Sequence, residues 1–185
     1  MNTTFPNSMT EKSAVLDLKS IIRDIPDFPK PGIVFKDITP LLKDPKAFRQ
    51  TINALGRELE GKSIDLVAGI ESRGFIFSPV LAYQLGTGFV PVRKKGKLPY
   101  QTEQMAYALE YGEAVLEIHQ DALKPGARVV IVDDLLATGG TALAAAKLVE
   151  RLGGTVEKVI FLIELEFLKG RQKLAGYDVA SLIQY

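Results

Sequence analysis

The chain has no cysteine, no tryptophan and one histidine, His119. Without cysteine there is neither a disulfide framework nor a thiolate metal site. A lone histidine excludes a multi-histidine metal centre and argues against a Ser-His-Asp triad. No apolar run reaches membrane-spanning length, and no cationic segment followed by an apolar core opens the chain. Neither charge is in excess: 23 Lys plus Arg stand against 22 Asp plus Glu, for a net charge of +1. That balance provides no drive toward nucleic acid or a membrane surface. A chain of 185 residues can bury a sizeable core. The expectation is a soluble cytoplasmic protein with a polar, mobile leader at residues 1–12 and a single domain at 13–185.

What is present is organised around Val129-Val130-Ile131-Val132-Asp133-Asp134-Leu135-Leu136-Ala137-Thr138-Gly139-Gly140-Thr141. Four β-branched residues in a row read as a strand buried on both faces. Two acids then end the apolar run, a small-residue loop follows, and an alanine-rich run opens a helix. Glycines let backbone N–H groups approach an anion closely, and the helix dipole favours its charge. Two carboxylates would repel a phosphate but suit hydroxyl groups or a magnesium ion at the other end of the same ligand. A phosphate joined to a diol is a ribose 5-phosphate. The loop is not a Walker A motif, since no Gly-Lys-Ser/Thr follows, and Gly-x-Gly-x-x-Gly is absent. The plain alternative is a strand–turn–helix joint with acids at a solvated strand end.

The rest of the chain alternates strand and helix. Ser13 caps an expected helix running to about Arg23, with Val15, Leu18, Ile21 and Ile22 on one face. Four prolines and a glycine in Ile25–Pro40 forbid a helix or central strand, yet Phe28, Ile33, Val34 and Phe35 are apolar, as in a lid over a flat ligand. Asp44-Pro45 starts a helix ending near Gly61. Residues 65–70 read as a buried strand leading through Glu71-Ser72-Arg73-Gly74 into a helix with Phe75, Val80 and Leu81 inward. Ser72 can cap that helix and Arg73 adds positive charge, so a second anion site is expected beside the first. Residues 88–92 form a strand with an internal proline, running into the cationic stretch Arg93-Lys94-Lys95-Gly96-Lys97, a loop whose charges meet a polyphosphate on closure. Residues 114–119 alternate as a strand that pairs with the basic arm in a flap; His119 reads as an ordinary strand residue. After the Gly139-Gly140 helix, residues 156–165 and 179–183 are strands, with a brief helix at 169–174. The alternation predicts an α/β fold, a mostly parallel twisted sheet flanked by helices, with its site at the carboxyl ends of the strands.

The acidic pair followed by Ala-Thr-Gly-Gly-Thr resembles the signature of type I phosphoribosyltransferases. Pro31-Gly32-Ile33-Val34-Phe35-Lys36-Asp37-Ile38-Thr39-Pro40, Glu71-Ser72-Arg73-Gly74-Phe75 and Leu109-Glu110-Tyr111-Gly112 are similar to segments of the adenine-specific branch. The resemblance implies an N-terminal hood at about 25–42, in which backbone groups of Val34 and Lys36 read the purine edge while Phe35 stacks on the ring. The family often has arginine at the position of Lys36, which matters little for a backbone contact. It implies a flexible flap at about 93–118 and substrate contacts from Tyr111 and Leu165, the latter covering the other face of the base. Ala137, Thr138, Gly139, Gly140 and Thr141 would hold the 5-phosphate, Asp133 and Asp134 the ribose hydroxyls, and Arg73, Arg93 and Lys97 the pyrophosphate. Glu110 would handle the purine proton, with Arg73, Asp133 and Asp134 completing the catalytic set. The implied ligands are adenine, phosphoribosyl pyrophosphate, AMP and pyrophosphate. The implied cofactor is Mg2+, held mainly through pyrophosphate and ribose, and the implied assembly is a homodimer that engages neither nucleic acid nor membrane. Relatives acting on 6-oxopurines usually carry Asp where Ala137 stands, which favours adenine. A non-catalytic regulator that senses phosphoribosyl pyrophosphate and binds nucleic acid is the alternative; the neutral charge and the lack of a DNA-binding motif argue against it.

Overall fold

The computed structural model describes residues 16–108 and 113–185. The leader, Ser13, Val15, Glu110 and Tyr111 lie outside the described residues. The chain divides into two compact units, Met1–Gln50 and Thr51–Tyr185.

In the first unit, helix α1 spans only Leu18–Ile21, and its cap is Asp17, whose side chain accepts from the Lys19 N–H at 3.1 Å. The helix ends at Ile21, short of the expected Arg23, because Ile22 is already extended and feeds strand β1, Arg23–Pro26. β1 pairs antiparallel with β2, Val34–Asp37, in the register Arg23↔Asp37 and Ile25↔Phe35. Cross-strand ion pairs Arg23–Asp37 and Lys36–Asp24, both at 2.7 Å, tie the ribbon. Of the four prolines expected to forbid a central strand, Pro26 ends β1, Pro29 and Pro31 lie in the turn, and Pro40 sits in the first turn of the helix that follows. Helix α2, Thr39–Lys43, and helix α3, Pro45–Arg57, follow. Asp44 caps α3 by accepting from the N–H groups of Lys46 and Ala47 at 2.8 and 3.0 Å. α3 stops at Arg57 rather than Gly61; turns carry the chain on to Gly61, which has positive φ.

The second unit is built on a seven-stranded sheet. Its strands are β3 (Leu66–Ile70), β4 (Gly88–Lys94), β5 (Thr102–Ala108), β6 (Glu113–His119), β7 (Arg128–Leu136), β8 (Thr155–Glu164) and β9 (Val179–Gln184), in the spatial order β5-β6-β4-β3-β7-β8-β9. The strands β4, β3, β7, β8 and β9 are parallel; β6 joins β4 antiparallel, and β5 and β6 form a hairpin in continuous register from Thr102↔His119 to Ala108↔Glu113. The basic arm pairs with β6 as expected, Arg93↔Glu117 and Lys94↔Leu116, and β5 adds a second, longer pairing on the other side of β6. Pro91 lies inside β4 for a specific reason. The Val92 carbonyl accepts from the Glu71 N–H, so Val90 and Val92 turn their backbone groups toward β3. Pro91 faces the other way, and there β6 begins to pair only at Arg93, so the missing N–H breaks no ladder bond.

Both sheet faces are covered, which is why the central strands are apolar throughout rather than alternating. Ala68, Ile70, Val129, Ile131, Val159 and Phe161 share one core with helix α5, Gly140–Arg151, whose buried face includes Ala142, Ala145, Ala146, Leu148 and Val149. Val67, Gly69, Val130 and Val132 turn to the opposite face, where helix α4, Gly74–Leu85, sits so close that a Cβ on Gly69 would fall 2.0 Å from Ser78 Oγ. Phe77 and Leu81 are the inward residues of α4; Val80, expected inward, is 38% exposed because it lies away from the Phe77–Leu81 stripe. A short helix α6, Gly170–Lys173, precedes β9. Burying the fully enclosed Val, Ile and Leu side chains stabilises by about 1.5–3 kcal/mol each, which fixes the strand ends as a rigid platform.

Candidate active site

The carboxyl ends of β3, β4, β7 and β8 lie side by side, and each is followed by a segment singled out in the sequence. Strand β7 runs further than expected: Asp133 and Asp134 lie within it, and it ends at Leu136. Pairing with β8 continues through Asp133↔Phe161 and Leu135↔Ile163, which buries Asp134 and leaves Asp133 partly exposed on the cleft walls. Asp134 is 4% exposed. Its backbone N–H donates to Asp133 Oδ1 at 2.9 Å, and Arg73 Nε lies 2.9 Å from its Oδ2. Burial, reinforced by the Asp134 carboxylate, holds the Asp133 pKa well above the usual carboxylate range. Burial also raises Asp134, opposed by the Arg73 guanidinium. The pair is thus short of positive charge.

Beyond Leu136 the chain makes the turn Ala137–Gly139 and enters α5. Gly139 has φ +80°, a conformation other residues adopt only with strain. No side chain caps α5, so the first-turn N–H groups point toward the loop without an internal acceptor. That twelve-residue helix start forms a cleft of about 70 Å3 with Asp133, Thr138, Gly139 and Thr141 on its walls. Gly170 backs the turn from behind: a Cβ there would lie 2.1 Å from the Ala137 carbonyl oxygen.

The second joint leaves β3 through Glu71, Ser72 and Arg73, with a cis peptide between Glu71 and Ser72, and enters α4. Arg73 occupies the N-cap position and no side chain caps the helix. The Ser72 hydroxyl expected to cap does not; only its carbonyl takes part, accepting from the Phe75 N–H at 3.2 Å. Gly74 is required by space, since a Cβ would sit 2.9 Å from Asp133 Oδ1. A second cleft of about 290 Å3 is lined by Ser72, Arg73, Lys94, Asp133, Asp134 and Thr141, with Tyr107 and Leu116 from the hairpin. Asp133, Leu135 and Thr141 belong to both clefts, so the two are lobes of one site.

The cations of the basic stretch divide. Lys94 lines the larger lobe. Arg93 is instead held by Glu71 through Nε and Nη2 at 3.1 and 3.0 Å, and donates to the Lys97 carbonyl at 3.0 Å. That partner keeps the Glu71 carboxyl below its ordinary range. The backbone N–H groups of Lys97 and Leu98 both donate to Glu117 Oε1 at 2.9 Å. Burial would raise Glu117, but these donors lower it on balance, so a buried carboxylate anchors the basic turn. Leu165 follows β8, its N–H donating to the Leu136 carbonyl at 2.9 Å, which fixes it beside the start of the Ala137–Gly139 turn. Val34, Phe35 and Lys36 lie in the first unit, where Val34 is 47% exposed and Phe28 meets Phe35 edge-on at 5.3 Å.

Tyr107, Glu117 and Gly170 were not singled out in the sequence, and Lys94 entered only as one cation of the basic stretch. Strand parity at the end of β4 distinguishes Lys94 from Arg93, whereas Glu117 alternates with Leu116 and Ile118 and so reads as an outward strand residue, with no sequence signal for its burial. Gly170 carried no local signal.

Residues 39–178 match the phosphoribosyl transferase domain family. The adenine phosphoribosyltransferase of Thermoanaerobacter pseudethanolicus is 63% identical over 169 residues, which cover 91% of this chain and 98% of that protein. A crystal structure of adenine phosphoribosyltransferase from the same organism superposes with a TM-score of 0.89, again covering 91% and 98% of the two chains. The Saccharomyces cerevisiae adenine phosphoribosyltransferase, complexed with an imino-altritol bisphosphate and adenine, is similar at 45% identity and a TM-score of 0.86, covering 89% of this chain and 96% of that one.

Proposed function

The chain belongs to the adenine phosphoribosyltransferase family, and on that premise we propose how its two-lobed cleft transfers a phosphoribosyl group to adenine. The reaction of purine salvage joins adenine N9 to the anomeric carbon of 5-phosphoribosyl 1-pyrophosphate, giving AMP and pyrophosphate. The observation that carries the assignment is the sharing of Asp133 and Thr141 by the two lobes. One lobe offers free helix N–H groups and suits a terminal phosphate; the other offers Arg73 and Lys94 and suits a pyrophosphate. The carboxylates between them suit a ribose.

On this reading the Ala137–Thr141 backbone and the hydroxyls of Thr138 and Thr141 hold the 5-phosphate. Asp133 and Asp134 accept from the ribose hydroxyls, and their negative charge stabilises the positive charge that grows on the anomeric carbon as its bond to pyrophosphate breaks. The electron pair of that bond leaves with pyrophosphate, which Arg73 and Lys94 receive first. Arg93 and Lys97 join when the basic turn shifts, at the expense of the Arg93–Glu71 pair. The new bond forms to N9, whose proton passes to Glu110. Phe35 stacks on the base, the backbone of Val34 and Lys36 reads its edge, and Leu165 and Tyr111 are further substrate contacts.

The raised pKa values of the acidic pair mark a site that gains from added positive charge. Among the described residues no group of three metal-capable side chains converges. The two adjacent carboxylates fit a magnesium ion that would share substrate oxygens, with Asp133 and Asp134 as the protein groups near it and pyrophosphate and ribose as its main ligands. It would supply charge neutralisation for the departing pyrophosphate. A cytoplasmic homodimer belongs to the same proposal. The test is a panel of nucleobases with phosphoribosyl pyrophosphate and magnesium. AMP should form from adenine far faster than IMP from hypoxanthine; comparable rates would remove the assignment of base choice to the hood.

A further inference from the structure

The phosphate loop is shaped from outside itself. Gly170 opens α6 against the back of the loop so closely that its Cα substituent has no room. A Cβ would meet the Ala137 carbonyl oxygen at 2.1 Å and the Gly139 nitrogen at 3.0 Å, while a Cβ on Gly139 would meet the Gly170 carbonyl oxygen at 2.4 Å. Gly170 does not have positive φ, so glycine is demanded there by space and not by backbone conformation. Two backbones in direct contact transmit small shifts without a flexible side chain to absorb them.

What holds Gly170 in place is its neighbour. Arg171 reaches Glu164, the last residue of β8, through Nε at 3.0 Å and through Nη2. Its Nη1 donates to the Val179 carbonyl at 2.7 Å, and Nη2 also donates to Ser181 Oγ at 3.2 Å, both on β9. Ser181 Oγ in turn donates to Glu164 Oε2 at 2.6 Å. Glu164 is 4% exposed, so this carboxylate is removed from water and fully engaged. The guanidinium thus binds two strand ends at once, in a planar two-pronged geometry that lysine cannot reproduce. None of these groups lines either lobe of the cleft.

We propose that Arg171, clamped by Glu164 and Ser181, is a positioning residue that sets the shape of the 5-phosphate loop through Gly170. The inference rests on the reading of residues 137–141 as that loop. Its energetic logic is that the helix N–H groups bind an anion well only when they converge on one point, and a displacement of about 1 Å costs on the order of 10²-fold.

The experiment measures ribose 5-phosphate binding by calorimetry and steady-state kinetics in the wild type, Arg171→Lys, Ser181→Ala and Gly170→Ala. Gly170→Ala should weaken ribose 5-phosphate and raise the KM for phosphoribosyl pyrophosphate by about 10²-fold, Arg171→Lys by about tenfold, and Ser181→Ala by a few-fold. The KM for adenine, at saturating phosphoribosyl pyrophosphate, should stay within about twofold, a split that general destabilisation would not produce. Should Gly170→Ala fail to fold, the two milder variants carry the test. Unchanged ribose 5-phosphate affinity in folded Arg171→Lys, or an equal loss for adenine, overturns the proposal while leaving the loop assignment intact. Failure of the wild type to bind ribose 5-phosphate overturns the loop assignment itself, and the proposal with it.

Discussion

The joints β3–α4 and β7–α5 stand on neighbouring parallel strands and do similar work with opposite materials. After β7 the turn is neutral, with two glycines and two threonines, and the helix presents bare N–H groups. After β3 the turn is charged: Glu71 engages Arg93, and Arg73 reaches across to Asp134. One joint can recognise an anion by converging backbone, which is rigid and selective in shape; the other by side-chain charge, which is stronger at a distance and adjustable. The substrate proposed here needs both, since its terminal phosphate stays in place while its pyrophosphate departs.

The comparison is broken most severely at the carboxylate both joints share. Asp133→Asn should lower kcat/KM by about 10²–10³, since a preorganised charge facing the reacting carbon is lost. The same change should raise the thermal midpoint of the ligand-free protein. The folded-state pKa of Asp133 lies above its unfolded value, so the native state holds the proton more tightly. Stability therefore declines as pH rises from the ordinary carboxylate range toward the raised native pKa, and the decline then levels off. In Asp133→Asn that part of the slope should vanish from denaturant titrations run across pH. A gain in activity, or an unchanged pH slope, would contradict the account.

At the neutral joint, Gly139→Ala should raise the KM for phosphoribosyl pyrophosphate by about 10²-fold, because the positive φ and the Gly170 contact both displace the loop. At the charged joint, Arg73→Gln should weaken pyrophosphate binding by about tenfold, the worth of one charge-assisted hydrogen bond. It should also move the acidic limb of the pH–rate profile to higher pH, since Arg73 opposes the rise in the Asp134 pKa. Equal effects of the two substitutions on phosphate and pyrophosphate inhibition would erase the division between the joints. The smallest effect is expected at Ser72. Ser72→Ala should leave the unfolding midpoint unchanged, where loss of a working N-cap costs about 1 kcal/mol.

That last position shows where reading the sequence stops. A serine ahead of a glycine and an apolar run is a sound cap signal, yet the backbone path gives the cap position to Arg73 and no side chain caps the helix. The acidic pair, the glycine loop, the order of strands and helices and the two glycine joints at the strand ends were all legible, because burial on both faces and helix starts leave local marks. The depth of Asp134 was not, since the extension of β7 past the last β-branched residue depends on pairing with β8. Lys94 was indistinguishable from its neighbours until pleat parity was known. Glu117, Glu164 and Arg171 look like ordinary surface charge until the turns and strand ends they anchor are in place.

The back-to-back glycines have a practical meaning for protein engineering. Thirty-one positions separate Gly139 from Gly170 along the polymer, so copying Ala-Thr-Gly-Gly-Thr onto a foreign scaffold would transplant letters without their mould. A redesign that borrows this recognition element must import the distant buttress along with it.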